Sequence, residues 1–194
     1  MEIETGCKCC KNEKCGPRIE KDLIGEKELP KDVYYGIQTL RGFENFRITG
    51  LRLHPALIKG LAMVKKAAAL ANMELGYIPK EVGAAIVTAA DELIDGKFHD
   101  QVIVDPIQGG AGTSINMNVN EVIANRAIEL LGGEKGDYKL VSPLNHVNRS
   151  QSTNDAVPTA ARIGILIELG STTKALDRLA DALDSKAEEF KDVV

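Results

Sequence analysis

The stretch Ala-Ala-Arg-Ile-Gly-Ile-Leu-Ile-Glu-Leu-Gly-Ser at residues 160–171 lies in the longest helical pattern of the sequence, from about Ser152 to Phe190. Its apolar residues between Ile163 and Leu169 surround the whole helix, so such a helix needs packing partners on several sides. From Ala160 onward it would extend for about 50 Å, whereas a compact domain of this length has a radius of gyration of about 16 Å. We therefore expect the helix to project and to join a bundle with helices from further chain or from other subunits.

Composition places the chain among ordinary globular proteins. The 194 residues are 44% hydrophobic and 27% charged, a length and balance that can bury a core without disulfides or a structural metal. With 24 basic against 28 acidic residues the net charge is −4, which argues against nucleic-acid partners because binding phosphates requires a basic excess. The absence of Trp, with only four Tyr and four Phe, also argues against a platform that stacks single-stranded bases.

The sequence shows no signal for a membrane. It has no apolar run long enough for a transmembrane helix, and the acidic start lacks the apolar segment of a signal peptide. We therefore expect a cytoplasmic protein with no membrane partner.

All four cysteines lie in a polar tail over residues 1–17. Thiolates suit zinc and iron–sulfur centres, and the neighbouring lysines would lower thiol pKa values, so metal or redox chemistry is one interpretation. The spacing lacks the paired CxxC motifs of a zinc ribbon, and we expect a tail without a metal site. The role of these residues stays open: Cys7, Cys9, Cys10 and Cys15.

The remaining chain reads as mainly α. Apolar periodicity and Pro and Gly punctuation predict helices over 55–75, 79–94 and 114–131, with short elements over 18–50 and an extended run at 101–104. The predicted architecture is an N-terminal helical domain with minor short strands over 18–150, followed by the start of a long-helix bundle domain over 151–194.

Two turns rich in small and polar residues each lead into a predicted helix. The first is Gly109-Gly110-Ala111-Gly112-Thr113-Ser114, and the second is Asn145-His146-Val147-Asn148-Arg149-Ser150-Gln151-Ser152-Thr153-Asn154-Asp155. A helix start presents free N–H groups and a partial positive charge, which bind anions. Taken singly, each turn is equally well explained as a helix cap in a solvated loop. Together, their hydroxyl, amide and backbone donors can bind a small carboxylate substrate without the help of a cation and can stabilise charge that grows during the reaction.

Other sites are less well supported. His54 and His99 are expected to be structural, and His146 is expected to orient the second turn rather than to act in catalysis. A dinucleotide site is disfavoured because the third glycine of a GxGxxG motif falls on Ile115 and because Pro106 interrupts the entry to the turn.

Several long motifs, in order along the chain, resemble the aspartate ammonia-lyases of the aspartase/fumarase superfamily. The resemblance covers about Arg18 to the C-terminus. It rests on these stretches: Arg18-Ile19-Glu20-Lys21-Asp22-Leu23-Ile24-Gly25, Tyr34-Tyr35-Gly36-Ile37-Gln38-Thr39-Leu40-Arg41, Gly109 to Asn118, and His146 to Asp155.

The resemblance implies reversible deamination of L-aspartate to fumarate and ammonia through an aci-carboxylate dianion, with no organic cofactor and no assigned metal. It implies that Thr113, Ser152 and Thr153 bind substrate carboxylate and that Thr113 and Asn154 lie near the amino group. Ser114, Asn116 and His146 are supporting candidates. It further implies a homotetramer in which each site draws on three subunits.

Two alternatives stay open. Class II fumarases usually carry a Gln where Ser114 stands and a His where Ser142 stands, so a fumarase is the runner-up. The family's base is a serine in a Gly-Ser-Ser-x-Met-Pro-x-Lys-x-Asn loop, and this motif does not occur in the 194 residues. We therefore place no catalytic residue in this chain, expect it to be inactive alone, and keep a non-catalytic assembly module as the other alternative.

Overall fold

A computed structural model describes residues 16–193. Near its start, β1 (Arg18–Lys21) and β2 (Glu26–Leu29) form an antiparallel hairpin in which Arg18 pairs with Leu29. The Asp22 carboxylate holds the hairpin turn by accepting the N–H groups of Ile24 and Gly25. This hairpin confirms the expectation of minor short strands.

Helices make up most of the described chain, as the sequence predicts. They are α1 (Ile37–Asn45), α2 (Pro55–Glu74), α3 (Lys80–Ile94), α4 (Thr113–Leu130) and α5 (Thr153–Glu189). Two short segments, a 3₁₀ turn at His99–Gln101 and a π turn at Pro143–Val147, lie between them. His54 is structural, as expected, because its Nδ1 accepts the Ala56 N–H at the start of α2.

The extended run at 101–104 is not paired as a strand with any other described segment. Instead, the Asn118 side chain on α4 satisfies its backbone: Oδ1 accepts the N–H groups of Ile103 and Val104. A side-chain amide thus replaces the neighbouring strand that such a run would otherwise need.

The core lies around α4, which packs against α1 and α3 and whose apolar side chains from Val119 to Ile128 are buried. Two buried carboxylates attach α1 to this core. Glu121 accepts the N–H groups at Gly36, Gln38 and Thr39, and Glu20 accepts that of Ile37. Burial raises the pKa of Glu121 to about 7, although the hydrogen bonds from Thr39 and Gln38 oppose the shift. These anions occupy the positive end of α1.

Helices α2 and α5 approach closely because glycines face the partner backbone. A Cβ atom at Gly60 would lie 2.3 Å from the Ala160 carbonyl oxygen, and one at Gly164 would lie 3.1 Å from that of Ala56. Glycine is a weak helix former, so Gly164 within the long helical pattern predicts either a kink or a close contact with another helix. The structure shows the close contact, and α5 is continuous from Thr153 to Glu189.

Beyond Gly164, α5 projects away from the other helices, as expected from its length. Its residues from Ile165 onward are exposed. The large apolar side chains left exposed there are Ile165, Leu166, Ile167, Leu169, Leu176, Leu179, Leu183 and Phe190. Among the described residues, no helix is long and apolar enough to span a membrane. The division of the chain at residue 151 stays a prediction.

Candidate anion-binding site at two helix starts

The structure brings the two polar turns together. Helix α4 begins at Thr113 and α5 at Thr153, and the Asn116 side chain joins them, because its Nδ2 donates to the Thr153 hydroxyl over 3.2 Å. The glycine turn lies directly against α5: a Cβ atom at Gly112, where φ is +88°, would be 2.9 Å from Val157. The turns that the sequence predicts separately therefore form one site.

The mouth of this site carries accessible donors. Thr113, Ser152 and Asn154 are exposed and Thr153 is half-buried. The Ser152 hydroxyl oxygen accepts the Asn154 N–H at 3.2 Å as the cap of α5, which leaves its proton free for donation outward. With the partial positive charge of two helix starts, these groups favour an anion.

An acceptor lies beside these donors. Pro158 is inside α5, and because proline has no N–H the carbonyl of Asn154 loses its α-helical donor. A carbonyl oxygen without that bond suits an ammonium group. The start of α5 thus offers both kinds of partner that an amino acid requires.

Asp105 and Gln108 hold the base of the glycine turn. Neither residue was predicted from the sequence to have a role in the site. Gln108 Oε1 accepts the Ile115 N–H at 2.9 Å, and its Nε2 donates to the Asp105 carbonyl. The Asp105 carboxylate accepts the N–H groups of Thr49, Gly50 and Ile107. Burial opposes its ionisation, but these hydrogen bonds outweigh burial and lower the pKa of Asp105 to about 2. Asp105 is an ordinary turn residue in sequence, and its long-range contacts with Thr49 and Gly50 reveal its role.

A buried lysine lies behind the site. The side chain of Lys65 on α2 is fully buried, and its Nζ donates to Asn116 Oδ1 at 2.7 Å, Asn148 Oδ1 at 2.9 Å and Gln151 Oε1 at 2.9 Å. Asn148 Oδ1 also accepts from the Asn116 and Asn120 amides. Burial lowers the pKa of Lys65 to about 7, and the negative charge of Asp155 opposes the shift.

Lys65 corrects the interpretation of the turns as donors without a cation. A cation does belong to the cluster, separated from the mouth by the Asn116 side chain. A sequence signal for it exists, because residue 65 falls at helical spacing among the buried positions Ile58, Leu61, Ala69 and Asn72. A lysine on the buried face of a helix requires partners.

The supporting candidates differ in position. Ser114 lies beside α1, where a Cβ atom at Gly42 would be 3.1 Å from its hydroxyl. His146 Nδ1 accepts the Ser142 N–H at 3.0 Å, and burial lowers the pKa of His146, which fits the expected orienting role. His99 Nε2 lies 2.8 Å from the Leu93 carbonyl oxygen, as a structural residue would.

Metal ligands do not cluster in the described residues: no group of three or more His, Cys, Asp or Glu side chains there could hold an ion. Cys7, Cys9, Cys10 and Cys15 lie outside the described residues.

Comparison with known proteins identifies the family. The model of a family described as lyase matches residues 25–194. The chain belongs to this lyase family. It is 63% identical to an aspartate ammonia-lyase of Bacillus sp over 177 residues and 50% identical to that of Escherichia coli (strain K12) over 180 residues. Each match covers 91% of this chain but only 38% of the relative.

Solved structures of lyases have the same fold. A fumarate lyase:delta crystallin from Brucella melitensis, bound to cobalt, matches with a TM-score of 0.87 and 52% identity, over 90% of this chain and 38% of that one. A class II fumarase from Schistosoma mansoni matches with a TM-score of 0.84 and 35% identity, over 92% and 38%. The mainly helical fold class and the resemblance to the aspartase/fumarase superfamily are thereby confirmed.

Proposed function

We propose that this chain is the N-terminal portion of an aspartate ammonia-lyase, which converts L-aspartate reversibly to fumarate and ammonia. The observation that carries the proposal is the meeting of two donor-rich helix starts, joined by the 3.2 Å hydrogen bond from Asn116 to Thr153. Identities of 50–63% to aspartate ammonia-lyases support it. The chain spans 38% of the length of those relatives, so it supplies part of a site.

In the proposed reaction, a base takes the proton from Cβ and leaves an aci-carboxylate dianion. The Cα–N bond then breaks, its electrons pass to nitrogen, and the electrons left on Cβ form the double bond of fumarate. Thr113, Ser152 and Thr153 contribute hydroxyl donors to the carboxylate, and these bonds strengthen as its charge grows. We assign the Asn154 side chain and carbonyl to the amino group, because this carbonyl lacks its α-helical donor. We assign no base within the 194 residues.

A fumarase is the competing function, and the structural match to a class II fumarase keeps it open. Two features favour aspartate over malate. The identity to that fumarase is 35%, below that to the aspartate ammonia-lyases, and Ser142 stands where fumarases tend to have a histidine. Comparing L-aspartate with L-malate as substrates of the full-length protein distinguishes the two functions.

We also propose that the full-length protein is a homotetramer assembled through α5. Its exposed apolar side chains beyond Gly164 support a bundle with other helices.

The test of the activity uses the full-length protein with Thr113→Ala and Asn154→Ala. Each removes a side chain proposed to contact the substrate, and we expect kcat/KM for L-aspartate to fall at least about tenfold, equivalent to one hydrogen bond to a charged group. Fumarate absorbance in the ultraviolet measures the rate. Thr88→Ala is the matched control, because Thr88 is exposed on α3 and, among the residues that the structure describes, its hydroxyl bonds to the Ala84 carbonyl alone. Near-normal rates for both site variants would refute the assignment.

A further inference from the structure

Lys65 requires an explanation beyond packing. A fully buried amino group is costly unless it is paired or hydrogen-bonded. Lys65 Nζ donates three hydrogen bonds to side-chain amide oxygens of two segments. These belong to Asn116 on α4 and to Asn148 and Gln151 before α5. Lys65 therefore connects the start of α4 with the start of α5.

The chemistry of these contacts fixes the direction of each hydrogen bond. Lys65 Nζ donates to each of these groups, and the Asn116 atom that faces it at 2.7 Å is the oxygen Oδ1. Its Nδ2 group must then point the other way, toward Asn148 Oδ1 at 3.0 Å and Thr153 Oγ1 at 3.2 Å. Because Thr153 accepts a proton there, its own hydroxyl proton is directed elsewhere.

We propose that Lys65 is a positioning residue which, through Asn116, turns the hydroxyl proton of Thr153 toward the anion at the mouth of the site. Without it, the Asn116 amide could rotate and present its oxygen to Thr153, whose hydroxyl would then donate inward. The proposal deepens the proposed function, since it rests on Thr153 binding a substrate carboxylate. Lys65 itself does not touch the substrate.

The test is a double-mutant cycle in the full-length protein, with KM and kcat for L-aspartate as readouts. We expect Lys65→Met and Thr153→Val each to raise KM about tenfold, the effect of losing one well-oriented hydrogen bond to an anion. The double variant should be no worse than either single variant, because both act through the same hydroxyl. A double variant about a hundredfold worse would mean independent effects and would overturn the proposal.

Lys66→Met is the matched control. Lys66 follows Lys65 on α2 but lies toward the surface, where it pairs with Asp91 at 2.6 Å. We expect an unchanged KM for this variant. A rise equal to that of Lys65→Met would assign the effect to a general loss of charge on α2 and would also overturn the proposal.

A second variant applies if Lys65→Met does not fold. Asn116→Asp keeps an oxygen opposite Lys65 but removes the amide that donates to Thr153, so the threonine hydroxyl must donate inward. We expect KM to rise in the wild-type background and to rise much less in the Thr153→Val background. Equal increases in both backgrounds would reflect the added charge alone and contradict the proposal.

A separate readout keeps the inference testable if the full-length protein does not deaminate aspartate. That result would refute the proposed function only. Hydrogen exchange of the Asn116 side-chain amide, followed by NMR on the 194-residue chain, then decides about positioning. We expect Lys65→Met to speed this exchange at least about tenfold, because the amide loses its fixed orientation. An unchanged exchange rate would overturn the role of Lys65.

Discussion

Asp105 shows how a single carboxylate can hold the base of the candidate site. Three backbone N–H groups and the Thr49 hydroxyl donate to it, and its pKa is lowered to about 2. A carboxyl group with a lowered pKa in the folded state binds fewer protons there than when unfolded. Its contribution to stability is therefore complete above the usual pKa of 3.8 and is lost as the pH falls toward about 2.

We predict that Asp105→Asn lowers Tm by several degrees at pH 7 and that the difference from wild type shrinks below about pH 3.8. Thermal unfolding of the 194-residue chain between pH 2 and pH 7 measures both effects. Asp95→Asn is the control, because Asp95 is exposed and its side chain accepts no hydrogen bond from the described residues. A difference between wild type and Asp105→Asn that is constant with pH would show that ionisation of Asp105 is not involved.

Residue-scale prediction from sequence identifies candidates at the mouth of the site, whose binding roles stay predictions, and it misses the residues behind the mouth. A surplus of capping residues before α5 marks Thr153 and Asn154, because local chemistry alone requires only one cap. The helical spacing of Lys65 marks it as buried but does not show its partners, because Asn116 and Asn148 meet it only after α2, α4 and α5 pack together. Gln108 gives no signal of its own in the sequence.

At the scale of elements, periodicity and Pro and Gly punctuation predicted the four longer helices, but they did not assign α1 (Ile37–Asn45), which lies among the short elements expected over 18–50. The predicted helix over 79–94 corresponds to α3 (Lys80–Ile94), and that over 114–131 corresponds to α4 (Thr113–Leu130). The run at 101–104 differs because its backbone is satisfied by Asn118, fourteen or more residues away in the chain. No periodic pattern encodes such a long-range side-chain contact.

The crossing of α2 and α5 gives a prediction at this scale. Gly60→Ala would place a methyl group 2.3 Å from the Ala160 carbonyl oxygen, so the helices must separate, and we expect a loss of about 1–3 kcal/mol in the free energy of unfolding. Gly170→Ala is the matched control, since no described atom beyond its chain neighbours and the nearby backbone of its own helix lies within 4 Å of its Cβ position. Helix propensity should make that variant more stable by up to about 1 kcal/mol. Urea denaturation of the 194-residue chain measures both changes, and equal stability of Gly60→Ala and wild type would contradict the close crossing.

Apolar side chains are buried in one part of the molecule and exposed in another. Those around α4 form the core, whereas the second half of α5 presents large apolar side chains to solvent. A monomer rarely maintains so large an apolar surface. Burial of each leucine in an assembly would contribute roughly 1.5–3 kcal/mol to its stability. Several such side chains lie along α5, so their contributions add. This asymmetry is the physical basis of the proposed tetramer.

Leu176, Leu179 and Leu183 form one face of the exposed part of α5 and are 58%, 56% and 62% accessible. In the full-length protein, we predict that Leu176→Glu combined with Leu183→Glu raises the dissociation constant of the assembly at least about a hundredfold, because two carboxylates would be buried in an apolar bundle. Sedimentation velocity measures the assembly state. Lys174→Glu is the control, since Lys174 points to the opposite side of α5 from these leucines. A double variant that remains as associated as wild type would show that this face does not hold the subunits together.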